Sequence, residues 1–312
     1  MNMEYDVVII GGGPGGLTAG LYAARGDMKT LLLEKLLPGG QAATTYWIDN
    51  YPGFVDGVSG PQLMMSMKDQ ALRFGLEIKT DEVVDLEVLD DGFAVVGQDG
   101  RYTSHAVIIA AGATVAQLGV PGEEKLRGKG VSYCATCDGA FFRDEELVVV
   151  GGGDAAVEEG MFLTKFAKKV YIVHRRDRLR AAKAIQEKAF QNDKIEFIWD
   201  TVVEEILGDQ SVEGVRLKNL KTGETKELAC AGIFIYVGNI PNSQFLKGKI
   251  DLDERGFVLT NEQMETSQKG VFACGDVRKK ILRQVVTACG EGATAAFAAQ
   301  QFVEEKKGIA YK

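Results

Sequence analysis

The segment Tyr133-Cys134-Ala135-Thr136-Cys137-Asp138-Gly139 places two thiols three positions apart in a chain that holds five cysteines. Cysteines at that spacing serve three chemistries: half of a zinc site, a structural cross-link, or a disulfide that opens and closes to carry electrons. A structural zinc needs about four nitrogen or sulfur ligands. The chain offers only His105 and His174, and Cys230, Cys274 and Cys289 are scattered. A C-x-x-C bridge closes too short a loop to restrict the unfolded chain much, so it makes a poor staple. The reversible dithiol remains. Asp138, next to Cys137, supplies a carboxyl group able to give or take a thiol proton; its plainer reading is a turn residue before Gly139.

A dithiol that carries electrons needs a donor, and the chain repeats a pattern suited to one. Asp6-Val7-Val8-Ile9-Ile10 runs into Gly11-Gly12-Gly13-Pro14-Gly15-Gly16, then a small and apolar stretch, then Lys29-Thr30-Leu31-Leu32-Leu33-Glu34. The same order returns 140 residues later without a gap, as Glu146–Val150, then Gly151-Gly152-Gly153-Asp154-Ala155-Ala156, then Lys169–His174. Each copy reads as strand, glycine turn, helix and strand, the βαβ unit that binds dinucleotides. The first glycine makes the turn, the second lets backbone amides approach a pyrophosphate, and the third position, Gly16 or Ala156, lets the helix pack close to the strand. The phosphates then meet unpaired N–H groups at a positive helix end. A single such match is a weak signal; two in register, each with a distinguishing residue at the end of the second strand, are a strong one.

Those distinguishing residues separate the ligands. Glu34 suits ribose hydroxyls and repels a 2′-phosphate, so the first unit suits FAD or NAD. The equivalent position of the second unit is His174, followed by Arg175, Arg176, Arg178 and Arg180. Guanidinium groups bind phosphate through charge-assisted, often bidentate hydrogen bonds, which suits NADP. The bland reading of these arginines is a solvated helix start.

A length of 312 residues allows two ordinary domains. Acidic residues outnumber basic ones, 44 to 36, which argues against a general nucleic-acid or anionic-membrane binder. The opening MNMEYDVVII reads as no signal peptide, and no apolar run approaches a membrane span. An odd number of irregularly spaced cysteines points to a reducing cytoplasm rather than a secreted framework. His105 reads as structural, Trp47 and Trp199 as packing residues, and Ala288–Ala299 as tight helix packing.

Taken together these residues resemble the low-molecular-weight thioredoxin reductases, within the two-dinucleotide-domain flavoprotein disulfide reductases, nearly end to end. Beyond the two fingerprints, Pro38-Gly39-Gly40-Gln41 and Asn50-Tyr51-Pro52-Gly53 resemble the family's flavin loops, and Ala110-Ala111-Gly112 resembles the turn leaving the FAD domain. Thr266 and Val271-Phe272-Ala273-Cys274-Gly275-Asp276 resemble the second FAD fingerprint, and Arg283-Gln284-Val285 the lead into a helix beneath the flavin ring. Ala111 replaces a common Thr, and Cys274 a small apolar residue. The resemblance implies two Rossmann-like three-layer α/β domains, the NADP domain inserted into a discontinuous FAD domain. The expected parts are 1–116, 117–244 and 245–312, with crossings near 114–118 and 242–247 and Gly238-x-x-Pro241-Asn242 marking the return.

The FAD site implied is Gly11, Gly13, Pro14, Gly15, Gly16, Glu34, Gly40, Gln41, Asn50, Ala111, Gly112, Gly275, Asp276, Arg283, Gln284 and Val285, with Asp276 on the ribityl chain. The NADP site is Gly151, Gly153, Asp154, Ala155, Ala156, His174, Arg175, Arg176 and Arg180. Cys137 would face the flavin, Cys134 would attack the substrate disulfide, and Asp138 would be the acid–base residue. The implied activity carries electrons from NADPH through FAD and the Cys134–Cys137 disulfide to a thioredoxin-like protein, in a homodimer. Alternatives are a related flavoenzyme serving a peroxidase or a small dithiol, and a flavin-bound redox sensor. The large-type reductases are set aside, since no cysteine precedes Cys134 and no histidine follows His174. Because the C-x-x-C and the NADP fingerprint share one domain yet serve one flavin, that domain is expected to rotate about its two crossings. Cross-linking the two domains should abolish NADPH turnover; undiminished turnover refutes the rotation.

Overall fold

The computed structural model describes residues 3–45, 48 and 50–309; Trp47 lies outside them. The chain opens with β1 (Tyr5–Ile10), α1 (Pro14–Arg25), β2 (Thr30–Glu34), α2 (Gly60–Arg73), β3 (Glu77–Thr80), β4 (Val83–Leu89), β5 (Gly92–Gly97), β6 (Arg101–Ile109) and β7 (Ala113–Val115). It continues with β8 (Val131–Ser132), α3 (Ala135–Asp138), β9 (Glu146–Val150), α4 (Asp154–Leu163), β10 (Lys169–Val173), α5 (Lys183–Phe190), β11 (Ile195–Ile198), β12 (Thr201–Leu207), β13 (Gly214–Asn219), β14 (Thr225–Ala229), β15 (Gly232–Ile235) and β16 (Asn239–Pro241). It closes with β17 (Val271–Ala273) and α6 (Val285–Lys307).

Two compact units result, one from 1–114 with 240–312, the other from 115–239. The return therefore comes before the expected 242–247. Two interactions explain this. The strand β16 already pairs with β7, and the Asn242 side chain donates to the Ala111 carbonyl at 2.8 Å while its backbone amide donates to Gly112 at 3.0 Å.

In the discontinuous unit the strands β3, β2, β1, β6 and β17 run parallel, and β4–β5 extend β6 as an antiparallel meander. Val7–Ile10 of strand β1 form an unbroken apolar run because both faces of the strand are covered there. With a side-chain period of two, Val7 and Ile9 enter a core with Leu17 of α1 and Ala295, Ala296 and Ala299 of α6. Val8 and Ile10 enter the opposite core with Leu31, Leu33, Phe93, Val95, Leu246 and Val258. Small residues bring α1 and α6 close: a Cβ on Gly292 would collide with the Gly15 carbonyl oxygen.

The inserted unit repeats the plan. Its sheet runs β11, β10, β9, β15, β8, all parallel. Leu147 and Val149 of β9 pack with Ala156 and Leu163 of α4. Val148 and Val150 pack on the other side with Val203, Ile206, Val215 and Leu217, where the antiparallel sheet β12–β13–β14 replaces a helical layer. Among the described residues no helix is long and apolar enough to cross a membrane.

Gly292→Ala is expected to cost about 1–3 kcal/mol through the backbone collision it forces. Urea unfolding of the wild type and variant measures this; equal midpoints would contradict the packing.

Candidate functional site

Strand register gathers the expected residues. In the discontinuous unit Ile10 of β1 pairs with Ile109 of β6, which pairs with Ala273 of β17. Gly11, Ala110–Gly112 and Cys274–Asp276 therefore leave the sheet together at its carboxyl edge, where open α/β sheets bind ligands. At Gly11 the backbone has φ +104°, and a Cβ there would lie 2.5 Å from the Ala110 carbonyl oxygen. A Cβ on Gly16 would collide with the Gly11 carbonyl. Gly13 has no atom within 4 Å of its Cβ direction, and as N-cap of α1 it contributes no side-chain cap. The turn is thus tight against the strand on one side and open on the other.

Glu34 braces this turn. Its Oε2 accepts the Gly12 amide at 2.7 Å and its Oε1 the Leu36 amide at 3.3 Å. The Gly39 amide donates to the Gly12 carbonyl at 2.7 Å, and the Cβ direction of Gly40 points to within 3.3 Å of the Gly13 Cα. Gln41 donates to the Ala113 carbonyl, and Asn50 Nδ2 donates to Gln284 Oε1 at 3.0 Å. Gln284 also caps α6 in a capping box with Thr287, so Val285 begins the helix.

Around Asp276 the structure adds residues that the motif reading missed. The Gly275 amide donates to Glu291 Oε2 at 2.7 Å, Arg278 pairs with Glu291 at 2.9 Å, and Lys280 lies 3.2 Å from Asp276 Oδ1 and 3.4 Å from Glu291. Arg278, Lys280 and Glu291 are nearly buried and Asp276 is partly exposed, and pairing two cations with two carboxylates lets the buried charges persist. The only sequence signal was an isolated acid in the small-residue run of α6. Asp276 Oδ1 is buried and faces the Lys280 ammonium, while the buried Arg283 Nε makes no hydrogen bond; Arg283 stacks over Phe257 at 4.4 Å. A carboxylate oxygen with a lone pair left beyond its ion pair, beside an open glycine turn, fits a flavin dinucleotide. Burial pushes the Cys274 thiol up to about 12, so it is no thiolate at neutral pH.

In the inserted unit Val150 of β9 pairs with Val173 of β10 and Ile235 of β15, while Phe234 of β15 pairs with Ser132 of β8. Gly151, His174, Tyr236 and the C-x-x-C segment thus share one edge. Gly153, the N-cap of α4, has no atom within 4 Å of its Cβ direction. The arginine loop folds back onto the turn: the Arg180 amide donates to the Gly152 carbonyl at 2.6 Å and the Ala182 amide to Asp154 Oδ1 at 2.7 Å. Arg175, Arg176 and Arg180 are exposed there, as a phosphate ester requires. His174 differs from them. Its ring lies where a Cβ on Gly152 would be, it is 5% exposed, and burial, reinforced by Arg180, Arg176 and Arg175, holds it below the ordinary imidazole range. It supports the turn while the arginines meet solvent. Trp199 stacks on Phe197 at 5.0 Å, a packing residue.

Cys134 and Cys137 form a disulfide with Cα atoms 5.3 Å apart; Cys230, Cys274 and Cys289 are free thiols. Among the described residues no group of three or more His, Cys, Asp or Glu is placed to hold a metal. The Ala135 amide donates to the Tyr236 hydroxyl at 2.6 Å, and Ser132 Oγ donates to Asp138 Oδ2 at 2.6 Å. Burial pushes the Asp138 carboxyl up, and the Ser132 bond partly offsets it.

Two dinucleotide-type units and a disulfide at the edge of one of them define a class, the two-unit disulfide oxidoreductases. The family model for pyridine nucleotide-disulphide oxidoreductases matches residues 5–292, and the chain belongs to that family. It is similar to a thioredoxin reductase of Peptoclostridium litorale, 52% identical over 98% of this chain and 99% of that protein. It is also similar to one of Bacillus subtilis (strain 168), 49% identical over 96% and 95%. The solved structure of thioredoxin reductase from Streptococcus pyogenes MGAS5005 matches with a TM-score of 0.92 at 49% identity, over 96% of this chain and 98% of that one.

Because burial favours the neutral acid, Asp138 helps folding fully below the ordinary carboxylate range near about pH 4 and loses that contribution as pH rises through its raised value. Asp138→Asn is neutral throughout, so its Tm should gain on wild type as pH rises from about 4 to 8. A gap in Tm that does not change with pH would contradict the burial.

Proposed function

We propose that this protein is an NADPH-dependent flavoprotein that reduces the disulfide of a thioredoxin-like protein. The observation that carries the reading is the Cys134–Cys137 disulfide on the same sheet edge as a dinucleotide turn, in a chain of this family. FAD, when bound, supplies the two-electron chemistry that links NADPH to that disulfide.

The residues divide the remaining work. In our reading, Gly11, Gly13, Pro14, Gly15, Gly16 and Glu34 hold the adenosine end of FAD. Gly40, Gln41, Asn50, Ala111, Gly112, Gly275, Asp276, Arg283, Gln284 and Val285 hold the flavin end, with Asp276 Oδ1 accepting from the ribityl chain. Gly151, Gly153, Asp154, Ala155 and Ala156 form the NADPH turn, and Arg175, Arg176 and Arg180 take the 2′-phosphate. His174 keeps the turn packed.

Once the disulfide is reduced, the Cys134 thiolate attacks the partner disulfide. A new sulfur–sulfur bond joins the two proteins and one partner thiolate leaves. Cys137 then attacks Cys134 Sγ, the mixed disulfide breaks, and the second partner thiolate departs. Asp138 moves the proton between its carboxyl group and the sulfurs. Burial suits it to the task, since a carboxyl raised from its ordinary range still holds a proton closer to neutral pH.

The three free thiols, two of them buried, are compatible with the reducing cytoplasm that keeps a C-x-x-C pair reducible. We place the protein there, as a homodimer; sedimentation would read the oligomer.

Turnover with NADPH or NADH, with and without oxidised thioredoxin, tests the function on wild type and Cys134→Ser. Wild type should turn over only with thioredoxin present and prefer NADPH. Cys134→Ser should lose thioredoxin reduction by at least about 10³-fold, as expected when a covalent nucleophile is removed. Thioredoxin reduction surviving in Cys134→Ser would overturn the assignment.

A further inference from the structure

Ser132 ends β8, two residues before Cys134, and is 4% exposed. A hydroxyl has one hydrogen to donate and two lone pairs to accept with; here one lone pair has a donor, and two oxygens compete for the hydrogen. The Cys134 amide donates to Ser132 Oγ at 3.1 Å. Ser132 Oγ lies 2.6 Å from Asp138 Oδ2 and 3.4 Å from the Cys134 carbonyl oxygen. With one hydrogen for two acceptors, the shorter, charge-assisted bond to the carboxylate wins while Asp138 is ionised. Once Asp138 holds the proton it can itself donate to Ser132 Oγ, and the serine hydrogen is released toward the Cys134 carbonyl. One buried hydroxyl thus joins the acid to both peptide groups of the cysteine.

We propose that Ser132 is a positioning residue for the disulfide chemistry, holding the Asp138 carboxyl and the Cys134 backbone in one orientation and reporting the protonation state of the first to the second. This rests on Asp138 being the proton carrier of the proposed function. The register explains why the serine is there: Ser132 pairs with Phe234 in the parallel sheet, so its place is set by the core of the unit and not by the loop that carries the cysteines. A second anchor, the Tyr236 hydroxyl on the Ala135 amide at 2.6 Å, fixes the next peptide from the neighbouring strand. The first turn of α3 is therefore held at two successive amides, Cys134 and Ala135.

The electrostatics agree with the geometry. Burial pushes Asp138 up and the Ser132 hydrogen bond pulls it down, because the bond favours the ionised form. The other titratable groups around this site are Tyr236, just beyond β15, and Glu159 on α4. Burial pushes the Tyr236 phenol well up, with Glu159 and Asp138 adding to the effect, so it stays neutral. Burial also pushes Glu159 up, helped by Glu158. Tyr133 bonds away from the site, its hydroxyl on Glu123 Oε1 at 2.7 Å. No described cation is bonded to Asp138, so Ser132 is the side chain that offsets its burial.

The test uses the FAD-loaded full-length protein, reduced with dithiothreitol, desalted without oxygen and alkylated with iodoacetamide across pH. Mass analysis reads the rate at Cys134, independently of any thioredoxin. Asp138→Asn should remove one step from the pH–rate profile, and Ser132→Ala should move that step to higher pH. Ser132→Thr keeps the hydroxyl in a strand that accepts a β-branched residue, and should leave the step where the wild type has it. Ser132→Ala should also slow NADPH-driven thioredoxin reduction roughly three- to ten-fold, the worth of one ordinary hydrogen bond. A Ser132→Ala step at the wild-type pH, or a Ser132→Thr step displaced like that of Ser132→Ala, overturns the inference. A profile unmoved by Asp138→Asn removes the proton-carrier reading itself, a different failure.

Discussion

A peptide amide can meet a pyrophosphate only where no Cβ stands between them, and the rest of this structure is arranged around that requirement. In the discontinuous unit the Gly11–Gly16 turn is pressed against Ala110 on one side and left open at Gly13 on the other. In the inserted unit a Cβ on Gly151 would lie 2.6 Å from both the Ala156 Cβ and the Tyr236 carbonyl oxygen, while Gly153 is open. The tight side fixes the helix to the sheet, and the open side leaves the first amides of the helix for an anion. What supports each turn differs. Glu34 accepts the Gly12 amide, whereas the neutral His174 ring fills the space beside Gly152. A carboxylate lies under one turn, and a buried imidazole with a rim of exposed arginines lies at the other, the difference on which the proposed division between FAD and NADPH rests.

Parallel register then does the work of assembly. Residues about 100 and 260 positions from Gly11 reach it because β6 and β17 end level with β1. In the same way β8 brings the cysteines beside the second turn. Cys137 stands on a four-residue helix capped by Cys134, too short to be stable by itself, and the hydroxyls of Ser132 and Tyr236 hold it to the sheet. The ion-paired set of Arg278, Lys280, Asp276 and Glu291 plays a similar part in the other unit. Balanced charges keep the Gly275 loop in place and aim the Lys280 ammonium at Asp276 Oδ1.

Much of this was legible in the sequence. The repeated glycine turns, the apolar strands flanking them and the C-x-x-C pair each follow from local rules of spacing, and their elements lie where those rules put them. The role of His174 was not legible. A histidine at a strand end reads the same whether it faces solvent or folds under its own turn, and only the tertiary packing on Gly152 decides. Glu291 was hidden because a single acid in a helix of small residues has no periodic signature, and its partners lie 11 to 16 residues away on a loop. Ser132 and Tyr236 reach the cysteines through strand pairing, which spacing along the chain does not reveal. The compact units meet at 239 and 240, a few residues before the expected return, at a β7–β16 pairing too brief to leave a sequence signature.

The central claim is that reducing equivalents from the nucleotide arrive at the Cys134–Cys137 pair. Anaerobic incubation of the FAD-loaded protein with excess NADPH, followed by a thiol-reactive mass tag and peptide mapping, measures this directly. The account predicts tags on both Cys134 and Cys137 that are absent from the sample without NADPH. A pair that stays untagged with the nucleotide present would contradict it.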